Sequence, residues 1–212
     1  MTLFGDPPPG REEIGEGAVV LHGFARDVAA ELVQEIARIT AAAPLRRMVT
    51  PGGRSMSVAM TNCGRLGWVS DARGYRYDAA DPLSGVAWPV MPEVFLRVAD
   101  RAAREAGFAG LAPDACLVNR YDPGARMGLH QDRDELDLGA PIVSVSLGLP
   151  AVFLWGGESR KDAVRRLRLE SGDVVVWGGA SRLVFHGVAP LKEAEHELTG
   201  RCRYNLTFRK AR

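Results

Sequence analysis

The sequence predicts a mostly β fold of the α+β class, with a sandwich or jelly roll in the carboxyl half and helices before it. Short runs with strand-like alternation follow one another from residue 115 onward, and Gly, Pro and Asp turns separate them. Before residue 115, two segments carry apolar residues at helical spacing. The 212 residues contain no internal repeat and no linker rich in Pro, Gly or Ser, so we expect one domain.

The composition is that of an ordinary folded protein. Hydrophobic residues make up 46% of the chain and charged residues 25%, with 27 Lys and Arg against 26 Asp and Glu. This combination is the opposite of the signature of disorder. The formal net charge of +1 also excludes a positive field over the whole surface, so a polyanionic partner would have to be attracted by a local patch.

The sequence predicts a cytoplasmic protein. The longest uncharged stretch, residues 138–157, reaches the length of about 20 residues that crosses a bilayer. Its prolines, glycines and alternating serines instead predict two short strands joined by a turn. No export signal is visible at the amino terminus. Cys63, Cys116 and Cys202 are widely separated and lack any C-x-x-C pair, so they favour neither a disulfide framework nor a zinc ribbon.

One strand and two helices are predicted in the amino-terminal half. Three consecutive prolines make residues 1–14 an extended, flexible lead-in, and the strand follows over residues 17–21. Asp27 is a plausible N-cap for the first helix. The apolar positions of that helix share one face: Val28, Leu32, Ile36 and Ile39. The second helix covers residues 92–106, with a proline in its first turn and a glycine after its end.

The rest of the chain predicts loops and strands. Residues 48–90 show little helical period and contain several aromatic residues, so we expect strands and long loops there. Residues 113–212 would form the β core. Its strands are predicted over residues 115–121, 141–149, 151–155, 166–169, 173–177 and 201–209.

Two of the four histidines occupy positions that suit a metal centre. His130 and Asp132 are two residues apart, so an extended backbone points both side chains to one side. With His186 they would supply two imidazoles and one carboxylate, the facial ligand set of non-haem iron(II) oxygenases. The spacing alone leaves an alternative open, because His130 and Asp132 also fit a polar loop before an acidic run, and a lone histidine is often structural.

The final strand predicts a second group of functional residues. Period-two alternation gives it one polar face with four members: Arg203, Asn205, Thr207 and Arg209. Two guanidinium groups and an amide suit the two ends of a dicarboxylate. On an earlier strand, Asn119 and Tyr121 share one side in the same way. An exposed polar face would explain either strand taken singly, so this alternative also stays open.

Several long motifs together resemble the AlkB family of iron(II)- and 2-oxoglutarate-dependent nucleic-acid dealkylases. The resemblance covers nearly the whole chain after the first dozen residues. It is densest in seven runs: 48–53, 56–64, 113–116, 130–135, 140–150, 172–179 and 202–209. Several motifs in this order are far more specific than the spacing of His130 and Asp132.

The resemblance implies a double-stranded β-helix, or jelly roll, whose mouth holds iron(II). His130, Asp132 and His186 would be the catalytic metal ligands. The residues that would bind the cosubstrate 2-oxoglutarate are Asn119, Tyr121, Arg203, Asn205 and Arg209. Arg209 would pair with its distal carboxylate. The implied reaction uses O2 to couple decarboxylation of 2-oxoglutarate, which yields succinate and CO2, to hydroxylation of an N-alkyl carbon, and it releases formaldehyde and the repaired base.

The implied partner is alkylated DNA, preferentially single-stranded, with RNA as a second candidate and the enzyme a monomer. A target base must leave its stack before it can react, and residues 48–90 would form the nucleotide-recognition segment. Trp68 and His186 would be the two faces of a base sandwich, while Tyr75 would contact a phosphate.

Further substrate contacts are implied by the same resemblance. Asp134 would bind the exocyclic amine of a cationic base such as 1-methyladenine or 3-methylcytosine, because a carboxylate favours a positively charged base. Arg160 would lie at the rim of the pocket, and Tyr77 would be a further contact. A basic run would form the surface that faces phosphates: Arg160, Lys161, Arg165, Arg166 and Arg168.

Two other functions share much of this pattern. A 2-oxoglutarate oxygenase that acts on a protein side chain or a small molecule would carry the same metal and cosubstrate residues. The aromatic residues of segment 48–77 favour a nucleic acid, because a small-molecule enzyme would not need them. A nucleic-acid-binding protein that has lost catalysis is disfavoured, because all three metal ligands and both arginines are present.

Overall fold

Antiparallel strands dominate the computed structural model, which describes residues 10–212. The strands in that range are β1 (Gly10–Gly15), β2 (Ala18–His22), β3 (Ala59–Gly64), β4 (Gly67–Asp71), β5 (Gly74–Asp78), β6 (Ala115–Tyr121), β7 (Met127–His130), β8 (Ile142–Gly148), β9 (Ala151–Trp155), β10 (Arg165–Leu169), β11 (Val174–Trp177), β12 (His186–Val188) and β13 (Arg203–Arg209). The α-helices of the same range are α1 (Ala29–Ala42) and α2 (Glu93–Glu105). The predicted mostly β class is confirmed.

Two antiparallel sheets form a sandwich. The larger sheet has the strand order β1-β2-β11-β8-β13-β6-β3, and the smaller sheet has the order β10-β9-β12-β7. Strands β4 and β5 form a separate hairpin. Strands distant in sequence are neighbours in both sheets, as in a jelly roll, so the predicted architecture is confirmed.

The core of the sandwich lies between the sheets, and strand β11 shows how the sequence fills it. Successive side chains of a strand face opposite sides of its sheet. Val175 and Trp177 pack in the cluster that also contains Phe153 of the smaller sheet. Val174 and Val176 pack in the cluster that contains the buried faces of both helices. Strand β11 is therefore apolar at every position, because both of its faces are buried.

The two helices cover the outer face of the larger sheet. Helix α1 buries Leu32, Ile36 and Ile39 of its predicted apolar face, whereas Val28 precedes the helix and is partly buried. Helix α2 buries Phe95, whose ring meets Phe208 of strand β13 edge-on with the ring centroids 5.8 Å apart. Gly107 follows α2 with φ 91°, a conformation that favours glycine and ends the helix as predicted. No helix within residues 10–212 is long and apolar enough to cross a membrane.

The amino-terminal end differs from the prediction in two places. Asp27 does not cap α1: it lies in a 3-10 turn, Arg26–Val28, that runs directly into the helix, so the cap position falls on another residue. Residues 10–14, predicted to belong to the flexible lead-in, lie in strand β1, which pairs with β2. This pairing buries Ile14 in the core of the sandwich. Residues 1–9 of the lead-in lie outside the described residues.

The packing of α2 on strand β13 gives a stability prediction. We expect Phe95→Ala to lower the free energy of unfolding by about 3–5 kcal/mol, the usual effect of emptying a buried aromatic site. Urea denaturation followed by circular dichroism would measure it. Leu96→Ala on the same helix is the matched control, because Leu96 is 39% exposed and Phe95 is fully buried. Equal losses in the two variants would contradict this account of the packing.

Candidate metal centre

A cavity of about 390 Å³ opens among both sheets and the β4–β5 hairpin. Polar side chains from β6 and β13 line one wall, and residues from β7, β9 and β12 line another. The sandwich core continues beneath it through Met60, Phe153 and Trp177. The cavity is thus polar in places where the core of a sandwich is normally apolar.

His130, Asp132 and His186 meet at one end of this cavity. His130 is the last residue of β7 and His186 the first of β12, and the two are direct partners across the antiparallel pair. Asp132 follows β7 by two residues. The potential ligand atoms of the three side chains all lie within 4.8 Å of one another. The structure therefore brings together the three residues that the sequence proposed as metal ligands.

Hydrogen bonds orient both imidazoles toward Asp132. His130 Nδ1 lies 2.9 Å from the carbonyl oxygen of Gly128, and His186 Nδ1 lies 3.0 Å from that of Val184. A carbonyl can only accept, so each Nδ1 carries the proton and each Nε2 keeps a free lone pair. These Nε2 atoms lie 3.6 Å and 3.8 Å from the carboxylate oxygens of Asp132. Such bonds to the second nitrogen are the usual way in which proteins orient histidine ligands.

Asp132 belongs to a cluster of buried charged side chains. Arg209 Nη2 donates to Asp132 Oδ2 at 2.7 Å, and Arg209 Nε lies 3.4 Å from Glu135 Oε1. Arg182 Nη2 donates to Glu135 Oε2 at 3.1 Å. The Tyr77 hydroxyl also donates to Glu135. Two carboxylates and two guanidinium groups balance one another, which makes their joint burial tolerable.

Electrostatics keep both kinds of ligand in their binding forms. Burial by itself raises the pKa of a carboxyl group, but Arg209, and after it the two imidazoles, outweigh this effect and hold the pKa of Asp132 well below its usual range. Burial, assisted by repulsion from His130, lowers the pKa of His186 to about 4. At neutral pH the site therefore offers a carboxylate and a neutral imidazole, the forms that bind metals.

Arg203 is a buried cation on the cavity wall, and no carboxylate of the described chain pairs with it. Its Nη2 donates to Ser146 Oγ at 3.0 Å, whereas its Nε and Nη1 find no hydrogen-bond partner in residues 10–212. Burial lowers the pKa of Arg203. The guanidinium carbon lies 5.1 Å from the ring centroid of Tyr121. Because an unpaired buried charge is costly, this part of the cavity fits an anion.

The remaining predicted cosubstrate residues lie beside Arg203. Asn119 Nδ2 donates to Asn205 Oδ1 at 3.1 Å, and Asn119 Oδ1 has no partner within the described residues. Asn205 Nδ2 donates to Ser144 Oγ at 2.7 Å. The polar face of β13 is buried, so the alternative of a solvent-exposed face is wrong.

Arg209, predicted to pair with the distal carboxylate of 2-oxoglutarate, contacts Asp132 in the described structure. Arg203 and Arg209 stand at opposite ends of β13. Arg209 donates to Asp132 through both Nε and Nη2, at 3.1 Å and 2.7 Å. Its charge is therefore engaged with Asp132 at the metal end of the cavity, and its pairing with the distal carboxylate of a cosubstrate stays a prediction.

The β4–β5 hairpin supplies an aromatic wall to the cavity. Trp68 and Tyr75 stack with ring centroids 5.6 Å apart and ring planes 14° apart, and both line the cavity. Tyr75 is 48% exposed. Trp68 Nε1 donates to Asp134 Oδ2 at 2.9 Å, which fixes an exposed carboxylate on the same wall. Three predicted substrate residues thus lie together.

Tyr77 occupies a different place from the one predicted. It pairs with Trp68 across the hairpin, yet it is buried against Ala115 and Ala211 and does not line the cavity. Its hydroxyl is used by Glu135. Tyr77 is therefore part of the support beneath the site and not a substrate contact.

The two imidazoles also differ in their access to the cavity. His186 is 5% exposed, and its ring centroid lies 4.8 Å from that of Trp177 and 6.0 Å from that of Phe153. The side chain of His130 is 35% exposed. Both imidazoles line the cavity, and His130 is the more exposed of the two. The stacking of His186 on a base stays a prediction.

Arg160 lies at the cavity as predicted, with its guanidinium carbon 5.0 Å from the ring centroid of Phe185. The rest of the predicted basic surface is less uniform. Arg165 and Arg168 are each paired with a glutamate, whereas Arg166 is exposed and has no carboxylate partner among residues 10–212. The basic run therefore offers fewer free charges than its sequence suggests.

The family of the chain follows from its similarity to known proteins. Residues 17–209 match the model of the 2OG-Fe(II) oxygenase superfamily. The chain is 56% identical over 211 residues to the alpha-ketoglutarate-dependent dioxygenase AlkB of Escherichia coli (strain K12), with 100% of this chain and 98% of that protein covered. The chain belongs to the AlkB family. Its cofactors are therefore iron(II), 2-oxoglutarate and O2.

Other members of the AlkB family are more distant. The DNA N(6)-methyladenine demethylase ALKBH1C of Arabidopsis thaliana is 35% identical over 185 residues, which cover 75% of this chain and 41% of that protein. The solved structure of OsALKBH1 superimposes with a TM-score of 0.86 at 31% identity and covers 95% of this chain and 100% of that one. The jelly roll described above is thus shared at the level of the whole domain.

Sequence reasoning missed the supporting members of the charge cluster. Glu135 follows Asp132 by three residues, and it stood out only as part of an acidic run. Arg182 gave no signal, because it lies 47 residues beyond Glu135 in sequence and outside every conspicuous motif. Only the fold brings these side chains together.

The metal centre gives a direct prediction. We expect titration of the metal-free protein with cobalt(II) to produce a visible ligand-field absorption band, and His130→Ala to abolish it, because one of three ligands is lost. His196→Ala is the control, since His196 lies in a turn between residues 196 and 200. A band of wild-type intensity in His130→Ala would refute the assignment of the three ligands.

Proposed function

We propose that this protein is a repair dioxygenase that demethylates bases of the 1-methyladenine and 3-methylcytosine type, preferring single-stranded DNA and also accepting RNA. One observation carries the proposal: the same cavity holds the three candidate ligands, the unpaired Arg203 and the aromatic wall of Trp68. A metal, a small dicarboxylate and a flat base would each find a matching surface there.

The donor set fits iron(II), and the polar wall fits 2-oxoglutarate. His130, Asp132 and His186 would hold the metal through two free Nε2 atoms and a carboxylate. Arg203 would receive the distal carboxylate, because two of its nitrogen atoms, Nε and Nη1, have no hydrogen-bond partner in a buried site of the described chain. Arg209 would act at the metal end of the cosubstrate, where it already orients Asp132.

When bound, iron(II) supplies the oxidising chemistry that couples decarboxylation of 2-oxoglutarate to hydroxylation of the alkyl carbon. The chain's own residues position the reactants and exclude water. Arg203 and Asp132 are both buried, and charge interactions are stronger at buried positions than in bulk water. The hydroxylated alkyl group then leaves as formaldehyde.

The hairpin would hold the target base. A base must be unstacked to reach the metal, and stacking on an aromatic side chain replaces part of the lost energy, about 1–3 kcal/mol per base. Trp68 and the exposed face of His130 would enclose it. Asp134, held by the Trp68 indole, would favour a cationic alkylated base over its neutral product. Tyr75 and Arg160 would contact the flanking phosphates.

We also propose a compartment, an oligomeric state and a domain organisation for the enzyme. We place it in the cytoplasm as a monomer with one domain, in which residues 48–90 recognise the nucleotide. Cys63 and Cys116 are buried opposite each other in the β3–β6 pair and remain free thiols, which suits a reducing compartment. A single strand is favoured as substrate because its bases need no unpairing before they enter the cavity.

The proposed activity predicts a defined mass change. Incubation of the protein with iron(II), 2-oxoglutarate, air and a single-stranded oligonucleotide carrying one 1-methyladenine should remove 14 Da, the mass of CH2 by elementary stoichiometry of the proposed reaction. Mass spectrometry would detect this, with a control that lacks 2-oxoglutarate. An unchanged oligonucleotide while succinate still accumulates would refute the nucleic-acid substrate and leave the oxygenase intact.

The role of Arg203 gives a second kinetic prediction. We expect Arg203→Met to raise the KM for 2-oxoglutarate about 10- to 100-fold, because it removes a charge-assisted hydrogen bond of about 1.5–3 kcal/mol. The KM for the oligonucleotide should not change. Arg38→Met, at an exposed site on helix α1 away from the cavity, is the matched control. A wild-type KM for 2-oxoglutarate in Arg203→Met would show that the distal carboxylate binds elsewhere.

A further inference from the structure

Arg182 braces the loop that carries Asp132, although it does not line the cavity. Its side chain is buried, with 4% exposure. Arg182 Nη1 donates to the backbone carbonyl of Asp132 at 2.6 Å, and Nε donates to that of Ala140 at 3.0 Å. Its Nη2 donates to the carboxylate of Glu135 at 3.1 Å. One guanidinium group therefore ties together three points of the segment 131–141.

This segment has no regular secondary structure of its own. Residues 131–141, between β7 and β8, form no helix and no strand, so no ladder of backbone hydrogen bonds fixes them. Leu136 N donates to the carbonyl of Ala211 at 3.0 Å, which anchors the middle of the segment. In the part that contains Asp132, Gln131 Nε2 donates to the carbonyl of Leu183 at 2.5 Å and Asp134 accepts from Trp68. Asp132 itself is bonded by Arg182 at its backbone carbonyl and by Arg209 at its carboxylate.

The charges of the cluster also support a role for Arg182 in orienting Asp132. Glu135 accepts from Arg182 through Oε2 and lies 3.4 Å from Arg209 through Oε1. Without Arg182, the two buried carboxylates of Glu135 and Asp132 would share one cation. Arg209 would then be drawn toward Glu135, and the carboxylate of Asp132 would lose part of the contact that orients it.

We propose that Arg182 is a positioning residue for the metal centre, which sets the orientation of Asp132 by fixing the backbone of its loop. The proposal rests on the role of Asp132 as a metal ligand in the proposed function. The positioning role of Arg182 requires the forked geometry of its guanidinium group. A lysine would keep the charge but present one nitrogen atom, which has no means of spanning the carbonyls of Asp132 and Ala140 and the carboxylate of Glu135 together.

Cobalt(II) binding to the metal-free full-length protein tests the proposal without any turnover. Arg182→Lys should raise the Kd for cobalt(II) about 10- to 100-fold, which is the usual effect of losing a residue that supports a metal ligand. It should also shift the ligand-field absorption band. Arg182→Met should have an equal or larger effect. Arg166→Met is the control and should keep the wild-type Kd, because Arg166 is exposed on β10.

The outcomes separate this proposal from the proposed function. A wild-type protein that binds no cobalt(II) would refute the metal centre itself. If the wild type binds and Arg182→Lys retains both its Kd and its spectrum, the positioning role is overturned. An Arg182→Lys variant that melts at a lower temperature but keeps the wild-type Kd would show a purely structural brace, which also overturns it.

Discussion

The site depends on keeping two carboxylates and two guanidinium groups buried in one contact network. Each of these charges would be costly to bury alone, and breaking one partner of such a set usually destabilises a protein strongly. Here Asp132 and Glu135 are offset by Arg209 and Arg182, and all four residues are buried. The network therefore stabilises an ionised metal ligand at a buried position on the cavity wall.

The network also joins parts of the chain that perform different tasks. Arg209 comes from the strand that carries the cosubstrate residues, and Tyr77 comes from the hairpin that carries the aromatic wall. Glu135 contacts both of these side chains. The support of the metal ligand is consequently shared with the support of the substrate wall, which keeps the distances among the three binding surfaces fixed.

Much of this arrangement could be predicted from the sequence, because it depends on local periodicity. Alternation in β13 correctly separates the polar cavity face from Phe208 and its apolar neighbours, and the spacing of His130 and Asp132 correctly places them together. The sequence could not predict which charged side chains pair with one another. Arg209 lies 77 residues from Asp132, and periodicity within one strand does not reveal which side chain stands across the sandwich.

The central claim is that one cavity binds the metal, the dicarboxylate and the base so that two oxidations are coupled. Repair of a 1-methyladenine oligonucleotide under 18O2, with succinate and repaired base both quantified by mass spectrometry, tests it most directly. We expect one succinate for each methyl group removed and one 18O atom in each succinate, since one atom of O2 enters succinate and the other enters the hydroxylated alkyl group. Methyl removal without labelled succinate would contradict it.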